Sequence, residues 1–194
     1  PMNDWHIDHK AKFENVGQWK RAWYYPKKSE TMHDAVQRES KAARESAGIL
    51  DASTLGKIDI QGTDSSEFLN RVYTNAWSKL AIGRCRYGLM LNEDGMVYDD
   101  GVTTRLDENH YIMTTTTGGA ANVLGKLEDY LQTEWPELDV YLSSVTDHYA
   151  TASVCGPNSK KILNKLIPDL DLSDENFPHM SFKNAKIGNI KCRV

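Results

Sequence analysis

The sequence has 194 residues, 40% hydrophobic and 26% charged, enough for one sizeable core or two small lobes. A formal net charge of −4 gives no basic footprint for nucleic acid, and no apolar run approaches the roughly 20 residues of a membrane span. Cys85, Cys155 and Cys192 are widely spaced and odd in number, which indicates buried thiols in a reducing cytoplasm. The opening PMNDWHIDHKAKF lacks the apolar core of a signal peptide, and a start at Pro1 indicates a piece of something longer.

The first 31 residues are polar and carry scattered aromatic side chains. We predict that residues 1–31 form an extended N-terminal arm whose aromatic residues anchor it on a surface, and that residues 32–194 form the main region. His6 and His9 are the one close histidine pair, and without a third ligand nearby they predict no metal site.

Further elements follow in chain order from hydrophobic periodicity and turn residues. The first are a helix over 33–47, a strand in LGKIDIQG, a helix opened by a capping box of Asp64 and Glu67, and a hairpin around NEDG. They are followed by a strand in NHYIMTTTT, a helix after Gly118-Gly119, and strands in LDVYLSS and HYATASV. A helix near Pro157 and a strand in GNIKCRV complete the order. This order predicts an α+β fold, mainly antiparallel sheets with flanking helices. No G-x-G-x-x-G or P-loop is present, which argues against dinucleotide or nucleoside triphosphate binding by these residues.

The segment NEDGMVYDDG places two adjacent aspartates on the return strand of the hairpin. Because strand neighbours point to opposite faces, Asp99 and Asp100 cannot share one. Asp100 falls with Tyr98, Val102 and Leu106, the more apolar set, which predicts that its face looks toward the core or a cleft. A carboxylate there is costly unless it is paired or its pKa rises, and such groups concentrate at functional sites. The alternative is an ordinary hydrogen-bonded strand residue.

Several stretches, taken in order, resemble the folate-binding aminomethyltransferase family, which includes the glycine-cleavage T-protein. They are AARESAGILDASTLGKIDIQG, FLNRVYTNAWSKLAIGRCRYGLMLNEDGMVYDDGV and SVCGPNSKKIL. Within that family the chain is most similar to the C-terminal half of the alpha subunits of heterotetrameric sarcosine oxidases, through WYYP, GRCRYGLML, TTTTGGAA and DYLQTEWP.

The resemblance implies a partial aminomethyltransferase fold around a cavity for tetrahydrofolate, with Asp100 as the catalytic carboxylate beside the folate amines. Asp99 is included among the cofactor-binding candidates, although a structural or solvated role is favoured for it. Tyr87 is either a cavity residue or a core aromatic. The remaining cofactor-binding candidates are Leu55, Thr116 and Thr117; the two threonines are equally compatible with an ordinary strand end.

The resemblance also implies a function. The chain would take the one-carbon unit from sarcosine oxidation to give 5,10-methylenetetrahydrofolate and glycine, with beta, gamma and delta subunits as partners and flavin and NAD bound elsewhere. A non-catalytic folate-binding scaffold or sensor, or another aminomethyltransferase, are the alternatives. The family's pterin-clamp segment and C-terminal β lobe are not found before Val194. We therefore expect the isolated chain to be inactive and to bind tetrahydrofolate weakly or not at all.

Overall fold

The computed structural model describes residues 2–194, which divide into two compact units. The first unit comprises the chain up to Thr54 together with His148–Leu172 and Ala185–Lys191. The second comprises Leu55–Asp147, Ser173–Asn184 and Cys192–Val194. Within residues 2–194, none of the helices has the length and apolar character needed to cross a bilayer.

The first unit is built from three helices and two small antiparallel sheets, in which β1 pairs with β2 and β3 with β9. Its elements are α1 Asn3–Asp8, β1 Lys12–Val16, β2 Trp19–Tyr24, α2 Met32–Glu45, β3 Gly48–Asp51, β9 Ala152–Cys155 and α5 Ser159–Leu166. The segment predicted as an extended arm is thus a short helix followed by a hairpin. The helix predicted over 33–47 is confirmed as α2.

Helix α2 begins at a capping box that the sequence reading did not identify. The Asp34 N–H donates to Thr31 Oγ1 at 3.3 Å, and the Thr31 N–H donates to the Asp34 carboxylate at 3.0 Å. The capping box predicted at Asp64 and Glu67 is wrong. The Asp64 carboxylate instead accepts from the Asp139 N–H at 2.9 Å, and Glu67 pairs with Arg71.

The interior of the first unit contains a polar chain of three side chains. His6 is buried, with Nε2 at 2.8 Å from Asp51 Oδ2 and Nδ1 at 2.6 Å from the Tyr25 hydroxyl. A carboxylate only accepts hydrogen bonds, so in the neutral ring Nε2–H donates to Asp51 and Nδ1 accepts from Tyr25. Both ring nitrogens of His6 are therefore occupied, and residues 2–194 bring no three metal-binding side chains together.

The second unit is built on a five-stranded antiparallel sheet of order β5-β6-β7-β4-β8. Its elements are β4 Gly56–Gln61, α3 Ser65–Val72, a 3₁₀ turn Trp77–Lys79, β5 Cys85–Leu91, β6 Val97–Asp107, β7 His110–Thr115, α4 Ala120–Asp129, a π-helical turn Tyr130–Glu134 and β8 Tyr141–Ser144. A 3₁₀ turn, Thr146–His148, follows, and strands β10 Asn184–Ile187 and β11 Ile190–Arg193 lie near the end of the chain. The predicted α+β class with antiparallel sheets is confirmed.

One face of this sheet carries the main hydrophobic core. Ile58, Ile60, Tyr111 and Met113 alternate along β4 and β7 and are buried, as their period-2 spacing requires. The cluster is completed by Phe68, Leu69, Val72, Tyr73, Trp77, Leu80, Met90, Val123 and Leu127. Helices α3 and α4 therefore form the layer over one face of the sheet. The opposite face is called the half-open face, because side chains on it are exposed or half-buried, namely Tyr87, Leu89, Asp100, Val102 and Ile112.

The cysteines differ from expectation. Cys85 and Cys192 are half-buried and Cys155 is exposed, and all three are free thiols. The prediction of buried thiols is therefore wrong.

The backbone pairing of β6 with β7 does not include Val102 and Thr114, and the Thr114 side chain joins the two strands there. The Val102 N–H donates to Thr114 Oγ1 at 2.9 Å, and the Thr114 hydroxyl donates to the Val102 carbonyl at 3.0 Å. The two backbones approach closely at Gly101, because a Cβ added there would come to 1.9 Å from the Thr114 carbonyl oxygen. The Thr114 hydroxyl therefore acts as the hydrogen-bond partner of Val102.

We expect Thr114→Val to lower the free energy of unfolding by about 1–3 kcal/mol, because it leaves both Val102 backbone groups without a partner. Thr104→Val is the matched control, since its hydroxyl donates only to the weak acceptor Cys85 Sγ. Urea unfolding followed by far-UV circular dichroism measures both. Equal losses for the two variants would contradict this role.

Candidate functional site

The two aspartates of β6 lie on opposite faces of the sheet, and of the two predicted settings for Asp100, the core or a cleft, the core is wrong. Asp99 is only 4% exposed and shares the core face with Thr103, whereas Asp100 is half-buried on the other face. The small residues on the core face of β5 and β6 leave room for the aromatic rings that pack against this face. A Cβ on Gly88, opposite Gly101, would come within 2.7 Å of the Trp77 ring. Polar and apolar composition alone therefore does not identify which face of β6 is buried.

A β-bulge precedes the two aspartates. Leu91 pairs with Val97 and Met90 pairs with Asp99, so Tyr98 has no partner in the register. The extra residue lets Tyr98 pack against the core even though alternation would place it with Asp100. Bulges of this kind re-aim side chains and are common beside functional sites.

The half-open face holds a hydrogen-bonded pair of Tyr87 and Asp100. The Tyr87 hydroxyl donates to Asp100 Oδ2 at 2.8 Å, and the Tyr87 side chain is 50% exposed. The hydrogen bond raises the pKa of Tyr87 above its ordinary range, because loss of the phenolic proton would place two negative charges side by side. The interpretation of Tyr87 as a core aromatic is therefore wrong, and the structure brings it to Asp100.

Apolar and charged side chains surround this pair on the same face. Leu89 lies opposite Asp100, Val102 lies opposite Tyr87, and Ile112 follows one strand further on β7. Lys57 on β4 lies opposite Thr114 and is 4% exposed, with Nζ donating to the Leu55 carbonyl at 2.9 Å. The arrangement combines an apolar patch, an exposed aromatic ring and a carboxylate acceptor, and the Lys57 ammonium group lies on the same face two strands away from β6.

Asp99 forms a separate contact with the loop after β7. Both of its carboxylate oxygens accept from the Thr116 N–H, at 3.2 and 3.3 Å. The Thr116 hydroxyl accepts from the Gly119 N–H at 3.2 Å, directly before α4. Asp99 and Thr116, both predicted as cofactor-binding residues, are thus brought together, but by an internal hydrogen bond.

The remaining predicted residues join neither pair. Leu55 is half-buried at the start of β4, which lies two strands from β6 in the sheet. Thr117 is 6% exposed at the end of β7. Their roles as folate contacts stay predictions. Sequence reasoning missed Lys57, although a lysine as the second residue of the strand GKIDIQ is a usable signal, because charged residues seldom lie in buried strand positions.

Comparison with known proteins gives the class. The family model described as the GCVT N-terminal domain matches residues 2–194. The crystal structure of the glycine cleavage system aminomethyltransferase T from Bartonella henselae superposes with a TM-score of 0.75 at 25% identity, covering 86% of this chain and 42% of that one. The chain belongs to the GCVT N-terminal domain family.

Individual relatives are more specific. The chain is 56% identical to the sarcosine oxidase alpha subunit of Corynebacterium sp. (strain U-96) and 48% identical to that of Rhizobium meliloti, over 100% and 96% of its length. These matches span 20% and 19% of those proteins, so the chain corresponds to about a fifth of the relatives. An aminomethyltransferase of Staphylococcus epidermidis is 28% identical over 89% of the chain and 44% of the relative.

Proposed function

We propose that this chain is the tetrahydrofolate-binding lobe of a sarcosine oxidase alpha subunit. In this function it captures the one-carbon unit released by sarcosine oxidation, and the products are 5,10-methylenetetrahydrofolate and glycine. The observation that carries the proposal is the pair of Tyr87 and Asp100, which presents a hydrogen-bonded carboxylate on a half-open sheet face. Family membership and the identity to sarcosine oxidase alpha subunits support the same assignment.

The relatives favour sarcosine oxidase over another aminomethyltransferase. Identity is 56% and 48% to two sarcosine oxidase alpha subunits, against 28% to the aminomethyltransferase of Staphylococcus epidermidis. Because the chain spans about a fifth of those alpha subunits, we assign flavin and NAD to other parts of the assembly. We likewise propose beta, gamma and delta subunits as its partners, and the cytoplasm as its location.

The residues of the half-open face fit a reduced folate. The ligand combines flat ring systems with several N–H groups, and the face offers Leu89, Val102 and Ile112 as apolar surface beside the Tyr87 ring. The Asp100 carboxylate keeps one oxygen for Tyr87 and has the other available to an amine N–H. Ligand sites commonly pair apolar walls with a few placed polar groups in this way.

Asp100 has the properties of a general base and an electrostatic anchor. Tetrahydrofolate supplies, when bound, the amine nitrogens that take up the one-carbon unit. The Asp100 carboxylate holds an amine N–H, stabilises positive charge that develops there and accepts the proton that is released. The Tyr87 hydroxyl fixes the orientation of the carboxylate.

We expect Tyr87→Phe to raise the Kd for tetrahydrofolate about three- to tenfold, because it removes the hydrogen bond that orients Asp100. Equilibrium titration of the assembled enzyme measures this. The raised pKa of Tyr87 keeps its hydroxyl protonated, so the difference from wild type is expected to persist up to about pH 9.

Tyr141→Phe is the control for this experiment, because Tyr141 is 69% exposed on β8, on the far side of the sheet from β5. Unchanged affinity in Tyr87→Phe would remove Tyr87 from the site. Binding of tetrahydrofolate without any transfer of a one-carbon unit would instead support the non-catalytic scaffold.

A further inference from the structure

We propose that Asp99 is a positioning residue for Asp100, acting through a clamp formed by Asp99, Thr116 and Gly119. The inference rests on the proposed function, because it assigns a role to Asp99 through Asp100, the residue proposed to contact tetrahydrofolate. Asp99 does not reach the half-open face, so it acts through strand β6 and touches no ligand itself.

The clamp is a small set of contacts that joins buried Asp99 to the exposed Thr116 and the half-buried Gly119. The Asp99 side chain is 4% exposed and accepts from the Thr116 N–H through both oxygens. The Thr116 hydroxyl in turn accepts from the Gly119 N–H, where helix α4 begins. Strand β6 is thus tied to the first turn of α4 through a single loop residue.

The clamp depends on one donor. In the part of the chain that the structure describes, the Thr116 N–H is the hydrogen-bond donor that reaches the Asp99 carboxylate. A buried carboxylate with so little compensation is costly, and a purely structural strand position is filled more stably by an apolar residue. We therefore explain the presence of Asp99 at this position by its effect on the register of strand β6.

The hydrogen bond between Asp99 and Thr116 fixes the register of the two aspartates. The bulge at Tyr98 leaves the strand one residue longer than its partner just before Asp99. If the bulge moved past the pair, the strand would slip by one residue, and every side chain beyond it would exchange faces. Asp99 held by Thr116 on the core side keeps Asp100 on the side of Tyr87.

The clamp leaves no space for a side chain at Gly119. A Cβ built there would lie 2.7 Å from Thr116 Oγ1 and 3.2 Å from Asp99 Oδ1. The backbone of Gly119, with φ −86° and ψ −13°, suits alanine, so the clash is the main consequence of the substitution. Neighbouring Gly118 has open space around its Cβ position and is the matched control.

The test compares Gly119→Ala with Gly118→Ala in the assembled enzyme. We expect Gly119→Ala to slow transfer of the one-carbon unit to tetrahydrofolate about ten- to a hundredfold, the range for a reacting group displaced by up to ~1 Å. The rate of sarcosine oxidation is expected to match that of Gly118→Ala, and the Tm is expected to fall only slightly below it, because the clash is confined to Thr116 and Asp99. A parallel fall in oxidation and Tm would overturn the inference, because it would indicate general disruption.

Two substitutions at Asp99 complete the test. Asp99→Asn keeps an oxygen for the Thr116 N–H and is expected to retain most of the transfer rate, whereas Asp99→Leu is expected to lose it about as Gly119→Ala does. If Asp100→Ala abolishes capture while Gly119→Ala and Asp99→Leu transfer at the wild-type rate, this inference fails and the proposed function stands. If Asp100→Ala itself transfers normally, the proposed function fails.

Discussion

Replacing Asp100 with alanine is expected to slow transfer of the one-carbon unit to tetrahydrofolate by about 10²- to 10⁴-fold, the usual range for a positioned general acid or base. The side chain lies on the half-open face and receives the Tyr87 hydroxyl, so its removal takes away both the proton acceptor and the anchor. Rapid-quench measurement of 5,10-methylenetetrahydrofolate formation in the assembled enzyme gives the rate. Sarcosine oxidation is expected to continue, because we assign it to another site.

Asp107→Asn is the control for this prediction. Asp107 lies exposed at the end of the same strand, and its side chain accepts only a local N–H, from Glu108, which asparagine also accepts. Asp100→Asn separates two contributions, since it keeps the shape of the side chain and removes the base. A rate in Asp100→Asn equal to that of wild type would contradict a proton-accepting role.

Replacing Trp77 with alanine is expected to lower the free energy of unfolding by about 3–5 kcal/mol. Trp77 is fully buried, packs edge-to-face on Tyr73 with ring centroids 5.5 Å apart, and fills the space over Gly88. Its removal would leave a cavity beneath β5, the strand that carries Tyr87. Denaturant unfolding followed by far-UV circular dichroism measures the loss without depending on tryptophan emission.

Two further variants test the reason for that loss. Trp23→Ala removes a tryptophan that is 51% exposed, and we expect a change within about 0.5 kcal/mol. Trp77→Phe is expected to cost less than Trp77→Ala, because it retains an aromatic ring and removes a buried indole N–H that has no hydrogen-bond partner within residues 2–194. Equal costs for Trp77→Ala and Trp23→Ala would place Trp77 outside the core.

Much of the fold was predictable because local patterns agree with tertiary packing. Three local patterns predict the observed elements: the alternation in β4, the Asp94-Gly95 turn and the apolar stripe of α3. Gly95 has φ +80°, as such a turn requires. The capping box was misplaced because Asp64 has a competing donor, the Asp139 N–H, far along the chain. Such a long-range partner cannot be seen in a four-residue motif.

The site was only partly predictable, for a related reason. Strand alternation separates Asp99 from Asp100 but does not say which face is covered. The covering rings of Tyr73 and Trp77 come from a different segment, and they fit because Gly88 has no side chain to clash with them. The pairing of Tyr87 with Asp100 follows from the hairpin register, which aligns Tyr87 with Val102 and Leu89 with Asp100. The link from Asp99 to Thr116 depends on the loop after β7 and could not be predicted.

The most direct test of the central claim is the fate of the sarcosine methyl carbon in the assembled enzyme, with oxygen and tetrahydrofolate present. Isotopically labelled sarcosine allows 5,10-methylenetetrahydrofolate and free formaldehyde to be quantified in wild type and in Asp100→Ala. We predict that wild type delivers the label to tetrahydrofolate, and that Asp100→Ala still oxidises sarcosine but releases the label as formaldehyde. Unchanged partition in Asp100→Ala would contradict the assignment of Asp100 to folate-dependent capture.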